Sequence, residues 1–490
     1  MNTVVILVLF YNVVVIGGIG FYIWWRERHE HTTIDMALGG RSAGVATMSV
    51  TLAITYLGSA HVYGLMEMSF IMGAVALWFS FAHTILMCVM CLGTGPWIRR
   101  IGVSTIPELL GLLFGKRIRL ICACVAGMVV FGLVTLETQT LGIGISSMSG
   151  WPLGWSAVLG AGIGTAYVYM GGIKQTMWVN LVNACVMYAA IIIAAIYLTY
   201  SLPGGWEAVT QHYVDNGTEF KLSVFGEPTL LASFSLAAIF SVVFAQSVNQ
   251  QGMQACMSAK DEGVIRKSLW IAAPVNGLFG IFPVLVGLAA ATIPEFAELG
   301  PKLAGATLVV TLLPTWLVVL VQAGFIGALL STFAMSALAP ATIFAKDIIG
   351  SSKKEPMTPE HEKSLIRRTI LIIGIIAAFM TFFLHPNIVF AITWLFAWLV
   401  PFFFIIIAGL FWKRSATAAF QVIICCWSVN MVWSFIPQVK QVIGLQFLEN
   451  PHVVSIVALV SVFIFNFIAN DAKEPFFANG RYEKVEGVTQ

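Results

Sequence analysis

Long apolar stretches separated by short polar segments run along almost the whole of this 490-residue chain. About 20 apolar residues span the hydrocarbon core of a bilayer. The pattern predicts thirteen transmembrane helices, and the first is too long for the core of a signal peptide. They cover residues 4–25, 44–70, 71–94, 118–146, 153–170, 175–200, 231–258, 267–292, 314–340, 366–384, 387–411, 416–436 and 452–470.

The positions of the basic residues agree with this count. With the N-terminus outside, all but Lys221, Lys302 and Lys440 of the 26 Lys and Arg residues fall in inner loops or the C-terminal tail. The predicted outer loop 201–230 is acidic instead. Because Lys and Arg stay on the cytoplasmic side, we expect a plasma-membrane or inner-membrane protein with a cytoplasmic C-terminus.

Composition narrows the functional class. Hydrophobic residues make up 59% of the chain and charged residues 10%, against about 25% charged in soluble domains. The net charge of +3 lies in loops and does not indicate nucleic-acid binding. The eight histidines lack metal-binding spacing, and there is no P-loop lysine motif. We therefore expect neither an enzyme nor an ATP-driven pump. We also expect the protein to function as a monomer.

Two predicted helices contain polar, glycine-rich interruptions. They are TLAITYLGSAHVYGLMEMSF at 51–70 and VVFAQSVNQQGMQ at 242–254. In lipid, a broken helix persists only where it lines a cavity or binds something. Transporters pair such breaks across an inverted repeat. For the later residues of the second stretch, a helix ending in water is the alternative.

The two interrupted helices are five helices apart. This spacing predicts an all-α polytopic membrane protein with a 5+5 inverted repeat, one leading helix and two trailing helices. The predicted divisions are a leading segment 1–43, a first repeat 44–200, an outer loop 201–230, a second repeat 231–411, two trailing helices 412–470 and a tail 471–490.

Adjacent hydroxyls interrupt a third apolar stretch, ALLSTFAMSAL at 328–338. Na⁺ takes about five or six hard oxygen ligands, and the hydroxyls of Ser331 and Thr332 could join backbone carbonyls in such a shell. Alternatively, both hydroxyls bond back to carbonyls of their own helix and aid helix packing. The residues alone leave both interpretations open.

Four stretches together point to a known family. They are GGRSAG at 39–44, STIPELLGLLFGKRIR at 104–119, YVYMGGIKQTMW at 167–178 and ALLSTFAMSALAPATIFAKDI at 328–348. In this order and at these separations, the chain resembles the sodium/solute symporter family from about residue 4 to 440. The resemblance implies the LeuT-like inverted-repeat fold, with Na⁺ between the first and eighth core helices.

The resemblance also implies a ligand set. The carbonyl of Ala328 and the hydroxyls of Ser331 and Thr332 would bind Na⁺ from one side, and the carbonyls of Ile54 and Leu57 from the other. Where some relatives have further acids or hydroxyls, this chain has Asn180 and Ala334. We therefore expect a single Na⁺ site. Gln254-Ala255 replaces the family's Gln-Arg, which leaves an arginine contact at the inner gate in doubt.

Glu67 and Glu137 are the two acids inside predicted helices, and Glu137 lies deeper. A buried carboxylate without a partner is costly or takes up a proton, and no intramembrane Lys or Arg is available to pair with Glu137. Three roles for Glu137 remain open: contact with a positive group of a solute, proton coupling, or a neutral structural acid.

These observations predict a secondary transporter that couples Na⁺ to a small organic solute. Amines, amino acids and quaternary ammonium compounds are the expected solutes. The alternatives are a proton-coupled symporter of a small organic acid or another solute, and a sensor or channel with the transporter fold. The expected solute site comprises Tyr56, Ser59, His61, Glu137, Gln246, Asn249 and Trp394.

Overall fold

The computed structural model describes residues 3–30, 38, 41–352 and 357–478. Parts of the predicted inner loops 26–43 and 345–365 and of the tail 471–490 lie outside these residues. Across the described ranges the chain is helical, and eleven helices are long and apolar enough to cross a membrane. The predicted number of thirteen is therefore not confirmed, and the two differences fall in the first half of the chain.

The helices follow one another through short connections. They are α1 Thr3–Glu30, α2 Val45–Thr55, α3 Leu65–Met72, α4 Trp78–Leu92, α5 Thr94–Ile101, α6 Ile106–Phe114, α7 Lys116–Ser149, α8 Leu153–Ser201, α9 Gly205–Asp215, α10 Pro228–Leu230, α11 Leu236–Phe240, α12 Gln250–Met257, α13 Glu262–Phe279, α14 Ile281–Thr292, α15 Pro294–Ala297, α16 Ala304–Leu312, α17 Thr315–Ile343, α18 Pro359–Phe383, α19 Ile388–Ala397, α20 Val400–Phe411, α21 Ala416–Phe435, α22 Pro437–Ile443 and α23 Asn450–Ile468. Short π-helical segments connect several of them, at Ala60–Gly64, Leu231–Ser235, Ser241–Gln246 and Phe344–Ile349.

The first difference concerns the predicted helices 44–70 and 71–94. The first of them is split into α2, a π-helical turn and α3, so α2 alone is too short to span a bilayer. The chain then reverses at Gly73, whose φ of 86° is a left-handed value that favours glycine. Since α2 and α4 both pack on α13 while α3 packs on α14, α3 and α4 run in opposite directions.

The second difference concerns the predicted helices 153–170 and 175–200, which form the continuous helix α8. Gly164 lies against Phe333 of α17, and Asn183 lies against Gly327 of the same helix. The two α17 residues are about 9 Å apart along a helix, whereas Gly164 and Asn183 would be about 28 Å apart in a straight one. Helix α8 therefore bends sharply between them, where the sequence predicts an inner loop.

Helix α17 forms the centre of the bundle. Every residue from Val321 to Ile343 is buried, and α17 packs on α1, α2, α7, α8 and α18. Small residues make this close packing feasible: a Cβ on Gly324 would lie 2.8 Å from the Cα of Met187 in α8. The hydroxyl pair of the ALLSTFAMSAL stretch therefore lies far from lipid.

The last described residues bind back onto the bundle. Asp471 accepts hydrogen bonds from the hydroxyl of Ser415 and, at 3.1 Å, from the backbone N–H of Thr417 at the start of α21. The backbone N–H groups of Phe476 and Phe477 each donate at 3.0 Å to carbonyls at the end of α20. We call residues 471–478 the C-terminal strap.

Candidate functional site

The first helix break exposes backbone groups at the centre of the bundle. Helix α2 ends at Thr55, and residues 56–58 are not helical before the π-helical turn begins. Within the break, Leu57 donates its N–H to the carbonyl of Ile54 at 2.8 Å. Ile54 and Leu57 are both completely buried. The break therefore presents carbonyl oxygens where lipid and bulk water do not reach.

Helix α17 approaches this break with its hydroxyl pair. The hydroxyl of Thr332 lies 3.0 Å from the carbonyl oxygen of Ala328 and 3.4 Å from that of Ile54. The hydroxyl of Ser331 is buried and has no hydrogen-bond partner among the described residues. Thr332 thus contacts both Ala328 and Ile54, and Ser331 is next to Thr332 in the chain. Leu57, the fifth expected ligand residue, lies in the break that faces α17.

The oxygen set at this junction fits a hard monovalent cation. Its members are backbone carbonyls and hydroxyls, all of them uncharged, and hard cations take such oxygen ligands. A buried hydroxyl without a partner is costly unless something binds it. The unpartnered Ser331 hydroxyl is the atom that a bound cation would satisfy.

Glu137 of α7 contacts the same break from another side. Its carboxylate accepts hydrogen bonds from the N–H of Ser59 at 3.1 Å and from the Ser59 hydroxyl at 2.9 Å. A Cβ on Gly58 would lie 2.4 Å from Oε1 of Glu137 and 2.5 Å from Cγ2 of Thr332. Only glycine lets both side chains approach the backbone here.

The second break lies in the other half of the chain. The π-helical segment Ser241–Gln246 ends three residues before Asn249, whose side chain caps α12 by accepting the N–H of Gln251 at 3.2 Å. The alternative of a helix that simply ends in water is wrong for this stretch, because residues 245–259 are all buried.

A small cavity of about 30 Å³ lies beside the two breaks. Five of the seven residues expected at the solute site line it, namely Tyr56, Ser59, His61, Glu137 and Gln246. Thr332 also borders it, so the cavity adjoins the candidate cation site. The other lining residues are Thr55, Gly58, Ala60, Phe79, His83, Leu133, Gln251, Ile392 and Phe396.

Two expected solute residues lie elsewhere. Asn249 serves as the cap of α12, and its side chain is used there. Trp394 donates its indole N–H to the hydroxyl of Ser434 at 2.8 Å, toward the trailing helix α21. Neither residue lines the cavity, and the sequence could not reveal which face of α19 turns toward α21.

Sequence reasoning missed His83 of α4. Its Nδ1 donates to the carbonyl of Phe79 at 2.8 Å, and its Nε2 lies 2.9 Å from the amide nitrogen of Gln246. The ring of His61 is 4.4 Å from that of His83, and neither nitrogen of His61 has a partner among the described residues. The missed signal was a histidine within an apolar helix, a position typical of functional sites.

Polar contacts close the bundle on both sides of the cavity. At the end predicted to be outer, Glu67 accepts the N–H of Ile388 at 3.1 Å and lies 3.4 Å from Nζ of Lys302. At the opposite end, the side chain of Gln250 accepts the N–H of Ile106 at 2.8 Å, and Arg119 pairs with Asp347 at 2.8 Å. These contacts join helices of the bundle at both of its ends.

Comparison with known proteins agrees with this architecture. The model of the sodium:solute symporter family matches residues 37–424. The chain belongs to the sodium:solute symporter family. It is thus a multi-pass membrane protein of a transporter family rather than an enzyme, as the sequence predicts.

Curated relatives match over roughly half of this chain. Sodium-coupled monocarboxylate transporter 1 of Homo sapiens is 24% identical over 280 residues, which are 56% of this chain and 44% of the relative. The sodium-dependent multivitamin transporter of Oryctolagus cuniculus is 24% identical over 278 residues, 55% of this chain and 43% of the relative. The match thus covers less than half the length of these relatives.

Solved structures support the fold of this family member over its whole length. A Na⁺-coupled sialic acid symporter superposes with a TM-score of 0.78 at 16% identity, covering 96% of this chain and 98% of the other. A nucleobase-cation-symport-1 family transporter superposes with a TM-score of 0.55 at 14% identity, covering 88% and 92%. These likenesses show the LeuT-like fold alone.

Proposed function

We propose that this symporter family member couples the movement of Na⁺ to that of a small organic solute. The observation that carries the proposal is the buried hydroxyl of Ser331, which has no partner in the described part of the chain and lies next to the contact between Thr332 and Ile54. Na⁺ bound by Ser331, Thr332 and the carbonyls of Ala328, Ile54 and Leu57 would satisfy that hydroxyl.

Such an ion would join two elements that otherwise share few polar contacts. Thr332 belongs to the rigid central helix α17, whereas Ile54 and Leu57 belong to the broken first core helix. A ligand shifts a conformational equilibrium by its difference in affinity for the two states. Na⁺ would therefore favour the state in which the break and α17 are close, and in which the cavity is formed for the solute.

The solute that we propose carries a positive group, as in an amine, an amino acid or a quaternary ammonium compound. Glu137 is the one acid among the described residues that line the cavity, and no Lys or Arg lines it. The names of the relatives suggest a second class, because they include carriers of monocarboxylates and a symporter of sialic acid. An amino acid satisfies both indications, since it carries both groups.

Proton coupling is the second candidate. The observation that favours it is the presence of His61, His83 and Glu137, three titratable groups, around one cavity. A proton-coupled transporter would use such a group to carry its coupling ion. In that case, uptake of solute would follow the proton gradient whether or not Na⁺ is present.

The test is solute uptake into proteoliposomes that contain the purified protein. Uptake would be compared with and without an inward Na⁺ gradient, at a fixed proton gradient. Accumulation that needs the Na⁺ gradient supports the proposal. Accumulation driven by the proton gradient alone would replace it with the proton-coupled alternative, and solute binding without accumulation would indicate a sensor. Passive equilibration that neither gradient changes would indicate a channel.

We also propose the orientation and assembly expected from the sequence. The distribution of Lys and Arg supports an outer N-terminus and a cytoplasmic C-terminus in a plasma or inner membrane. The cavity lies within a single chain, which supports a functional monomer. Labelling of single cysteines placed in loops, from either side of a sealed vesicle, tests the orientation.

A further inference from the structure

The candidate Na⁺ site has no charge of its own. Its proposed ligands are two hydroxyls and three backbone carbonyls, all of them uncharged. An ion buried among neutral oxygens lacks the stabilisation that a nearby opposite charge provides in a medium of low dielectric constant. A carboxylate close to the site would supply it.

Glu137 is the carboxylate that reaches this place. A Cβ on Gly58 would lie 2.4 Å from Oε1 of Glu137 and 2.5 Å from Cγ2 of Thr332. The carboxylate and the α17 side of the cation site therefore approach the same peptide from two directions. Ser59 fixes the carboxylate there through its N–H and its hydroxyl, so its position does not depend on a solute.

We infer that Glu137 is the counter-charge of the Na⁺ site, acting across the Gly58–Ser59 backbone without being a ligand. This inference rests on the proposed function, because it assigns the ion to Ser331, Thr332 and the α2 break. Glu137 is thus a positioning residue that acts on the ion before any solute binds. It supplies the negative charge that the proposed ligands lack.

The inference also narrows the class of solute. With Na⁺ and the carboxylate of Glu137 both present, their charges offset one another. A solute that carries a positive and a negative group leaves the cavity without net charge, whereas a simple amine leaves one positive charge in excess. Buried net charge is costly, so a zwitterion, such as an amino acid or a betaine, is the class that fits best.

The test is Na⁺ binding to the purified protein in the absence of solute. Binding of radioactive Na⁺ to detergent-solubilised protein measures the affinity directly, without transport. We expect Glu137→Gln to weaken Na⁺ binding by at least tenfold, and Glu137→Asp, which keeps the charge, to weaken it less. Glu67→Gln is the matched control, because it removes another buried carboxylate at Lys302 and should change Na⁺ affinity by less than twofold.

The outcomes separate this inference from the function on which it rests. Na⁺ affinity that is unchanged in Glu137→Gln, while Ser331→Ala still weakens it, overturns the counter-charge and leaves the proposed function standing. Na⁺ affinity that is unchanged in Ser331→Ala removes the ion from this site altogether and so overturns both. If Glu137→Gln does not fold, Ser59→Ala takes its place. This variant keeps the charge of Glu137 but removes one hydrogen bond to its carboxylate, so we expect a two- to fivefold loss of Na⁺ affinity. Unchanged Na⁺ affinity in Ser59→Ala overturns the inference.

Discussion

The hydroxyl of Thr332 lies 3.4 Å from the carbonyl oxygen of Ile54, although the two residues are 278 positions apart in the chain. This contact joins the central helix α17 to the end of α2, where the first core helix breaks. It brings together one residue from each predicted repeat, and the neighbouring hydroxyl of Ser331 is buried without a partner among the described residues. The predictions below follow from this junction.

We expect Ser331→Ala and Thr332→Ala each to raise the Na⁺ concentration needed for half-maximal uptake by tenfold or more. Each change removes one oxygen from the proposed shell, while the smaller alanine is easily accommodated. Thr332→Ser keeps the hydroxyl and should retain most activity. Thr381→Ala, which removes a buried hydroxyl bonded within α18, is the control. Normal Na⁺ dependence in both alanine variants would move the site away from α17.

Gly58→Ala should abolish Na⁺-dependent uptake. The new methyl group would lie within 2.5 Å of both Glu137 and Thr332, so one of the two side chains must move away from the break. Gly127→Ala in α7 is the matched control, because a Cβ there has no neighbour within 4 Å. Uptake kinetics of both variants, at equal amounts in the membrane, make the comparison. Wild-type uptake by Gly58→Ala would show that this close approach is not needed.

Glu137→Gln should lower the affinity for the solute by about tenfold or more. The change keeps the shape and most hydrogen bonds but removes the charge that a positive group would contact, and tenfold corresponds to about 1.4 kcal/mol. The half-saturating solute concentration at saturating Na⁺ is the measurement. Normal transport would make Glu137 structural, whereas transport that no longer responds to pH would favour proton coupling.

We expect one Na⁺ to move with each solute molecule. The family resemblance implies that a further site would need acids or hydroxyls at positions 180 and 334, where this chain has Asn180 and Ala334. The side chain of Asn180 is buried without a hydrogen-bond partner among the described residues. Reversal potentials measured at several Na⁺ gradients give the stoichiometry. A value of two or more would reveal a second site that these neutral residues did not suggest.

Zwitterionic solutes should compete better than amines of the same size. The carboxylate of Glu137 balances Na⁺, so a solute without net charge avoids an uncompensated charge in the cavity. Inhibition of uptake by matched pairs, such as glycine and isobutylamine, tests this expectation. A stronger effect of the amine would indicate that Na⁺ and Glu137 do not offset each other.

Much of the architecture could be predicted from the sequence because lipid imposes a simple rule. Apolar length marked the crossings, and Gly58 and Asn249 marked the breaks, since polar or flexible positions are costly in a spanning helix. The change of chain direction within α8 was predicted, as an inner loop between two helices. The sequence could not reveal that helical backbone continues through it between Gly164 and Asn183.

The candidate site was partly predictable for a related reason. Hydroxyls and acids inside apolar stretches are conspicuous, so Ser331, Thr332 and Glu137 stood out. Trp394 was wrongly expected at the cavity because an aromatic residue in an apolar helix can equally well pack against another helix. Here its indole N–H donates to the hydroxyl of Ser434 in α21. The pairing of Glu137 with Ser59 depends on how α7 is rotated about its own axis. The sequence does not predict this rotation, because a helix with apolar neighbours on all sides has no separate polar face.

The C-terminal strap bears on how this protein can be cut and tagged. The backbone N–H groups of Phe476 and Phe477 donate hydrogen bonds to carbonyls at the end of α20. The carboxylate of Asp471 accepts hydrogen bonds at the start of α21. A truncation at residue 470, or a reporter fused there in place of the following residues, would leave both helix ends without these partners. A fusion joined after residue 478 preserves every one of these bonds. Residues 471–478 are thus part of the packed membrane domain.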